Sequence, residues 1–348
     1  MVRSFKIGNE EINELSNPLI VAEIGINHGG SLGVAKLMVD AACTSGCQIV
    51  KHQTHCVDDE MSYHAKEIYP VNANESIWDI IEKCALTFDE EIELKKYTEN
   101  KGMIYLSTPF SGAALDFLVE IGVIGLKIGS GEISNPFLLE MAANTKLPVI
   151  ISTGMADLKK IKKVYEIFES NENVAFLECT NSYPCPAEYI YLNGITLLKN
   201  MFPKNIIGFS DHSIGPWISL AAIAKGAKII ERHFTDDKSR IGPDIACSSD
   251  AFEMKILVEK GKDIVAAINN KTKKREKIEE SVYSFARASI VSKQNLKKGH
   301  IIRKSDIWSR RPGNGDFAAW DRDKVIGKEL IKNLNKGDQI SFSDLKKD

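Results

Sequence analysis

The chain has 348 residues, 43% of them apolar, with 45 Lys and Arg against 47 Asp and Glu for a formal net charge of −2. That length allows one large domain with a small companion and a sizeable core. A balanced charge excludes whole-chain attraction to nucleic acid or an anionic membrane surface, and no run of about 18 apolar residues offers a membrane span.

The opening segment, MVRSFKIGNEEINELSNPLI, is polar and lacks the apolar stretch of a secretory signal. Seven cysteines, at 43, 47, 56, 84, 179, 185 and 247, are scattered, and none forms a CxxC pair. Cys43 and Cys47 have helix-like spacing. This usage predicts reduced core thiols in a cytoplasmic protein.

Over roughly the first 235 residues, short apolar runs alternate with longer amphipathic stretches. The runs are LIVAEI (19–24), QIVKHQ (48–53), MIYLS (103–107), IGLKIG (124–129), PVIIST (148–153), AFLECT (175–180), IIGFSD (206–211) and KIIERH (228–233). Between them, Val34, Ala35, Met38, Ala41 and Ala42 recur at helical spacing, as do Ile161, Val164, Tyr165 and Phe168. Gly46 and Gly226 stand where helices would end before a strand, and Pro216 suits a first helical turn. Eight doubly buried strands, each followed by a helix, predict a (β/α)8 TIM barrel. A doubly wound open sheet is the rival fold. It would bring a GxGxxG loop after its first strand, and Glu23-Ile-Gly-Ile-Asn-His-Gly-Gly30 is not one.

We place the barrel at 1–265 and a charged linker at 266–284. The segment 285–348 then forms a small β-domain. That last segment holds a duplication: Asn295–Ile307 matches Asn333–Leu345 in the frame K-G-x-x-I-x-x-S-D-[IL]. Gly after Lys marks a turn, and the alternation after it reads as strand. The domain is therefore pseudo-symmetric, and small enough to lean on a partner surface.

In a barrel of this kind the C-terminal strand ends form the active-site mouth. Every run delivers polar groups there: Glu23; Lys51 and Gln53; Ser107 and Thr108; Lys127, Ser130 and Glu132; Ser152 and Thr153; Asn181 and Tyr183; Ser210, Asp211 and His212; Glu231 and His233. Two lysines with several hydroxyls suit a phosphate and a carboxylate together. The plainer alternative is that Lys51 or Lys127 forms a structural ion pair with Glu23 or Glu231. His212 and His233 end adjacent strands and can share a divalent ion, water and substrate filling its open positions. A satisfied core histidine is the alternative for each alone.

These segments resemble the bacterial N-acetylneuraminate (sialic acid) synthase family. The resemblance is carried by EIGINH (23–28), KHQTH (51–55), STPF (107–110), KIGSGE (127–132), STGM (152–155), CTNSYP (179–184), GFSDH (208–212) and ERHFT (231–235). The duplicated segment, with RPGNGDF (311–317), is similar to the family's antifreeze-like (SAF) domain, a β-clip module. The resemblance implies a divalent metal, Mn2+ with Mg2+ or Co2+ as substitutes, held by His212 and His233. It implies phosphoenolpyruvate bound by Lys51, Thr108, Lys127, Ser130, Ser152, Asn181 and Ser210. It implies an amino-sugar pocket from Gln53, Glu132, Tyr183 and Asp244, completed by Arg311 from the partner chain of a domain-swapped homodimer. The reaction implied joins phosphoenolpyruvate to N-acetylmannosamine with loss of phosphate by C–O cleavage. Glu132 or Glu23 would stabilise the cation formed at carbon 2. There are two departures: Ile133-Ser-Asn-Pro136 stands where relatives carry Cys-Asn-Asn-Tyr, and Arg287 stands where they carry an aromatic that lines the sugar site. A diacetamido hexose, giving legionaminic or pseudaminic acid, is therefore the alternative substrate. A Schiff-base aldolase using Lys127 or Lys51 is a further rival, and so is a non-catalytic glycan- or ice-binding protein.

Overall fold

Each of the eight apolar runs forms a strand. The computed structural model describes residues 3–70, 74–269 and 272–347, which fall into two compact units, 1–270 and 271–348. In the first, an antiparallel hairpin, β1 (Ser4–Ile7) and β2 (Glu10–Asn13), precedes eight parallel strands. These are β3 (Leu19–Gly25), β4 (Ile49–Thr54), β5 (Ile104–Pro109), β6 (Leu126–Ile128), β7 (Val149–Ser152), β8 (Val174–Cys179), β9 (Ile206–Asp211) and β10 (Ile229–His233). The ladder runs β5-β4-β3-β10-β9-β8-β7-β6, and its end strands lie against each other, so the sheet curls into a TIM barrel. Helices follow the strands as expected. Gly46 and Gly226 take φ of +84° and +90° at their exits. Pro216 caps helix Trp217–Ala224.

Side chains on a strand alternate between the barrel interior and the surrounding helices. Ile20, Ala22 and Ile24 of β3 join the outer core, while Leu19 and Val21 point inward. The inner lower layer is wholly apolar: Ile49, Leu106, Ile150, Leu177, Ile206 and Ile229 pack with Leu19 and Val21. Phe5, Ile7 and Ile12 of the hairpin complete this layer and plug the lower end. The hairpin has little signature in the sequence, because only three inward apolar residues mark it. Further up the strands, two residues on for most of them, the interior turns polar.

The last barrel helix, Ala251–Ile268, runs beyond residue 265. All seven cysteines are free, but Cys43, Cys56 and Cys84 are half-buried rather than core. Among the described residues no helix is long and apolar enough to cross a membrane.

The second unit opens with helix Glu280–Ala286 and pairs β11 (Ser289–Ser292) with β12 (Ile307–Arg310). Its duplication is a reciprocal clasp. Leu296 and Leu334 exchange both backbone hydrogen bonds, each 2.9 Å. Asn333 Oδ1 accepts from Lys298 N, and Asn295 Oδ1 accepts from Lys336 N, both 2.8 Å. After each Lys-Gly the chain makes an isolated bridge or extended run and then a 3-10 turn, not a full strand. Asp306 and Asp344 are the cause, since each carboxylate accepts from the backbone N–H of Arg303 or Ser341 and closes the turn.

The near-zero total charge conceals a division. Residues 1–270 carry 25 Lys and Arg against 36 Asp and Glu, a net −11, and residues 271–348 carry 20 against 11, a net +9.

Candidate active site

The polar upper layer lines a cavity of about 410 Å3 at the mouth. It gathers Glu23, Lys51, Gln53, Thr108, Lys127, Ser130, Glu132, Ser152, Asn181, Tyr183, Ser210, His212 and His233. The two lysines are buried and held in parallel ways. Lys51 Nζ lies 2.7 Å from Glu23 Oε2 and donates to Thr108 Oγ1 at 3.1 Å. Lys127 Nζ lies 3.3 Å from Glu231 Oε1 and donates to Ser152 Oγ at 2.8 Å. Ser210 Oγ donates to the same Glu231 oxygen at 3.0 Å. Ion pairs and an anion cradle are thus not alternatives here: the carboxylates hold the ammoniums in place from one side while the cavity opens on the other.

The two glutamates sit in one buried cluster yet titrate far apart. Burial, reinforced by the charge of Glu231, pushes the Glu23 carboxyl up to about 7 against the pull of Lys51. Burial would raise Glu231 as well, but Lys127, Lys51 and Ser210 outweigh it and hold that carboxyl down at about 2. One carboxyl can therefore carry a proton near neutrality while its neighbour stays ionised, the division of labour that acid–base chemistry requires. Burial raises Glu132 too. Burial alone would lower Lys51, but the charges of Glu23 and Glu231 reverse this and raise it.

His212 and His233 close the far side, their ring centroids 5.4 Å apart. Tyr183 packs on both, 4.2 Å from His212 and edge-on to His233 at 5.6 Å, and its hydroxyl accepts from Asn181 Nδ2 at 3.0 Å. His212 Nδ1–H donates to the Thr180 carbonyl oxygen at 2.8 Å, which leaves the Nε2 lone pair free. Burial, with the charge of His233, brings His212 down to about 4. Burial and the charge of Lys51 bring His233 down to about 3. Both rings are neutral at pH 7, the form a metal needs. His233 Nδ1 is buried without a hydrogen bond, 3.5 Å from Asp244 Oδ2. A neutral pair with a free lone pair and an orphaned nitrogen fits a divalent ion. Among the described residues no group of three or more His, Cys, Asp or Glu is gathered for a metal, so the protein would supply only the two imidazoles.

Three strand-end residues face the helices instead of the mouth. Ser107 hydrogen-bonds Thr54 at 2.7 Å, Thr153 donates to the Leu177 carbonyl oxygen at 2.9 Å, and Asp211 pairs with buried Arg232 at 2.6 Å. Glu231 and Cys179, absent from the assigned roles, line the cavity with Phe110 and Met155. Counting in twos from the apolar layer would have found the first pair, because Glu231 shares the face of Ile229 and His233. Gly129 and Gly154 are required by close approach: a Cβ at either would run into Glu132 or Asn181.

Asp244 lies behind the mouth, its Oδ2 3.5 Å from His233 Nδ1. Arg311 belongs to the second unit and is exposed just past β12. Arg287 lies over the Tyr283 ring, 4.4 Å from its centroid. The departure at 133–136 reads as a helix start: Asn135 Oδ1 accepts from Leu138 N, and Pro136 opens helix Pro136–Asn144.

Residues 38–273 match the NeuB family model, and residues 287–346 match that of the SAF domain. The chain is 34% identical to the N,N'-diacetyllegionaminic acid synthase of Campylobacter jejuni, over 94% of this chain and 99% of that protein. It is 32% identical to the human N-acetylneuraminate-9-phosphate synthase, over 92% and 90% of the two chains. The crystal structure of the N-acetylneuraminic acid (sialic acid) synthetase of Leptospira borgpetersenii, determined with citrate, superposes with a TM-score of 0.72 at 32% identity, covering 81% of this chain and 95% of that one. With both the long first unit and the small terminal unit matched in this way, the chain belongs to the NeuB family of sialic acid synthases, with a C-terminal SAF domain.

Proposed function

We propose that the protein joins carbon 3 of phosphoenolpyruvate to the aldehyde carbon of N-acetylmannosamine, giving N-acetylneuraminate and inorganic phosphate. The observation that supports this most directly is the twin lysine–hydroxyl cradle facing a neutral histidine pair across one mouth. Lys51 with Thr108, and Lys127 with Ser152, offer cations and O–H donors in one cavity, a match in kind for the two anionic groups of phosphoenolpyruvate. Ser130, Asn181 and Ser210 extend that lining. His212 and His233 would hold the divalent ion, which supplies Lewis-acid polarisation of the sugar aldehyde when bound.

As the C–C bond forms, positive charge develops at carbon 2 of phosphoenolpyruvate. The carboxylates of Glu23, Glu132 and Glu231 are fixed beside the cradle and stabilise that charge without reorganising. Water then adds to carbon 2, and its proton passes to a nearby carboxyl. Glu23 is suited to hold it, being raised to about 7 by burial. The proton held by Glu23 passes to the alkoxide left at the former aldehyde; the bond between carbon 2 and the phosphate oxygen then breaks as the added hydroxyl gives its proton to the departing phosphate and becomes the keto group, the lysines offsetting the phosphate's charge. Gln53, Tyr183 and Asp244 bound the sugar side, and Arg311 completes it from the partner of a domain-swapped homodimer in the cytoplasm.

A second reading replaces the sugar with a diacetamido hexose. The relatives named diacetyllegionaminic acid synthases, at 34% identity, favour it. One experiment separates the readings: purified protein, phosphoenolpyruvate and Mn2+ are offered N-acetylmannosamine, 2,4-diacetamido-2,4,6-trideoxymannose and its altro isomer, and product mass is read. A product from N-acetylmannosamine alone supports the first reading. Turnover of only a diacetamido sugar refutes it, and turnover of none refutes both.

A further inference from the structure

The lower end of the barrel, opposite the mouth, gathers positive charge that the fold does not require. Arg3, Lys199 and Lys228 surround a single carboxylate, Glu14. Arg3 Nη1 takes that carboxylate at 2.6 Å, and Arg3 Nη2 donates to the Lys199 carbonyl oxygen at 2.9 Å. Lys228 is only 7% exposed, yet among the described residues its ammonium donates to the Ser16 carbonyl oxygen alone, at 2.7 Å. Among the described residues neither Lys199 nor Lys228 has a carboxylate within ion-pair distance, and the Lys199 ammonium has no hydrogen-bond acceptor. Burying an ammonium without a counter-charge is costly, and crowding like charges adds to that.

The lysines register both effects. Burial and the charge of Arg3 lower Lys199, and burial and the charge of Lys199 lower Lys228. Glu14 opposes both shifts without cancelling either. The space between them is real: a cavity of about 260 Å3, with Lys225 at its rim and Ile223, Val265 and Ile268 as an apolar wall. The Lys199 ammonium lies against the backbone of Gly226 at the edge of this cavity. All this sits on a unit whose net charge is −11, so the local excess of cations is not a drift of composition.

We propose that this cavity is a second anion site, which takes a phosphate-type dianion either free or as the ester of a small organic body. The dianion supplies the missing counter-charge, and the apolar wall gives an ester's carbon skeleton somewhere to lie. The site is separate from the mouth, and its existence does not depend on the reaction proposed there.

The test uses the full-length Lys127→Ala protein, so that phosphate held at the mouth does not mask the second site. Calorimetric titration at low ionic strength compares inorganic phosphate, glycerol 3-phosphate and, as a screening control, chloride. The expected result is one phosphate per chain in preference to chloride, weakened about tenfold or more by adding Lys199→Ala and largely kept by Lys199→Arg. Tighter binding of glycerol 3-phosphate identifies an ester as the occupant, and tighter binding of inorganic phosphate identifies the free ion. If Lys199→Ala fails to fold, Lys225→Ala at the rim is read in its place. Absence of phosphate binding, or binding indifferent to both lysine changes, overturns the proposal.

Discussion

The lower and upper halves of the barrel interior are built by the same strands, two residues apart, and have opposite chemistry. Below, Leu19, Val21, Ile49, Ile150 and Leu177 form a dry layer plugged by the hairpin. Above, Glu23, Lys51, Ser152 and Cys179 occupy the next inward positions of the same chains. The difference shows how a fold can bury charge. The apolar layer fixes strand register, and the fixed register aims each polar group at a common point without any of them having to hold the barrel together. Stability and chemistry are thereby placed on alternate steps of one ladder.

If that separation is sound, changes above should destroy turnover and changes below should destroy stability. The largest effect is expected from metal removal. Protein stripped by a chelator should lose essentially all activity and regain it with Mn2+, Co2+ or Mg2+. Full turnover in protein whose metal content is measured as zero would refute a role for His212 and His233 in metal binding. Next, Lys127→Ala and Lys51→Ala should each reduce kcat/KM for phosphoenolpyruvate by roughly 10^2–10^3-fold or more. Each also leaves a buried glutamate unpaired, so melting must be measured beside kinetics. Near-normal kinetics in both variants would break the cradle assignment.

The third test concerns the partner chain. His212→Ala and Arg311→Ala, each inactive alone, are unfolded and refolded together. If Arg311 acts across the dimer, a heterodimer holds one barrel with its histidines intact and an intact arginine from its neighbour, so part of the activity returns. Heterodimers that are present but inactive would show that Arg311 serves its own barrel.

Below the mouth, Leu177→Ala should cost about 2–5 kcal/mol of stability and leave kcat/KM nearly unchanged at a temperature where the protein stays folded. A catalytic defect larger than the stability loss would mean the two halves are coupled. The smallest effect lies outside the ring. Glu178 points from β8 toward helix Asn193–Met201, crowding Gly194, and burial pushes its carboxyl up to about 7 from an ordinary 4.5. The unfolded chain gives up this proton first as pH rises past 4.5, so the group's contribution to stability falls between pH 4.5 and 7 and stays reduced above. Glu178→Gln should therefore narrow the gap in melting temperature between pH 5 and pH 8. An unchanged gap would dismiss Glu178 as its source.

Much of this was legible in the sequence because doubly buried strands advertise themselves as unbroken apolar runs, and all eight were found within a residue or two. Which strand-end group faces inward was less legible. Ser107, Thr153 and Asp211 look no different from Thr108, Ser152 and His212 until the two-residue alternation is counted up from the dry layer. The hairpin was missed because its inward face is three residues long. The lysine cluster at the base was invisible for another reason: Arg3, Lys199 and Lys228 meet only after the chain has circled the barrel. The opposed charges of the two units vanish from any whole-chain sum.

The plugged lower end also sets a timetable. A tube sealed by Phe5, Ile7 and Ile12 has one doorway, so whatever occupies its floor must arrive first and leave last. On β4 the cradle's Lys51 lies one inward step deeper than Gln53. Phosphoenolpyruvate should therefore enter before the sugar, and phosphate should depart behind the larger product. Initial-rate kinetics then ought to show obligatory order, with inorganic phosphate competing against phosphoenolpyruvate and the sugar acid not doing so. In this enzyme the sequence of events in time would be a direct reading of depth along a strand.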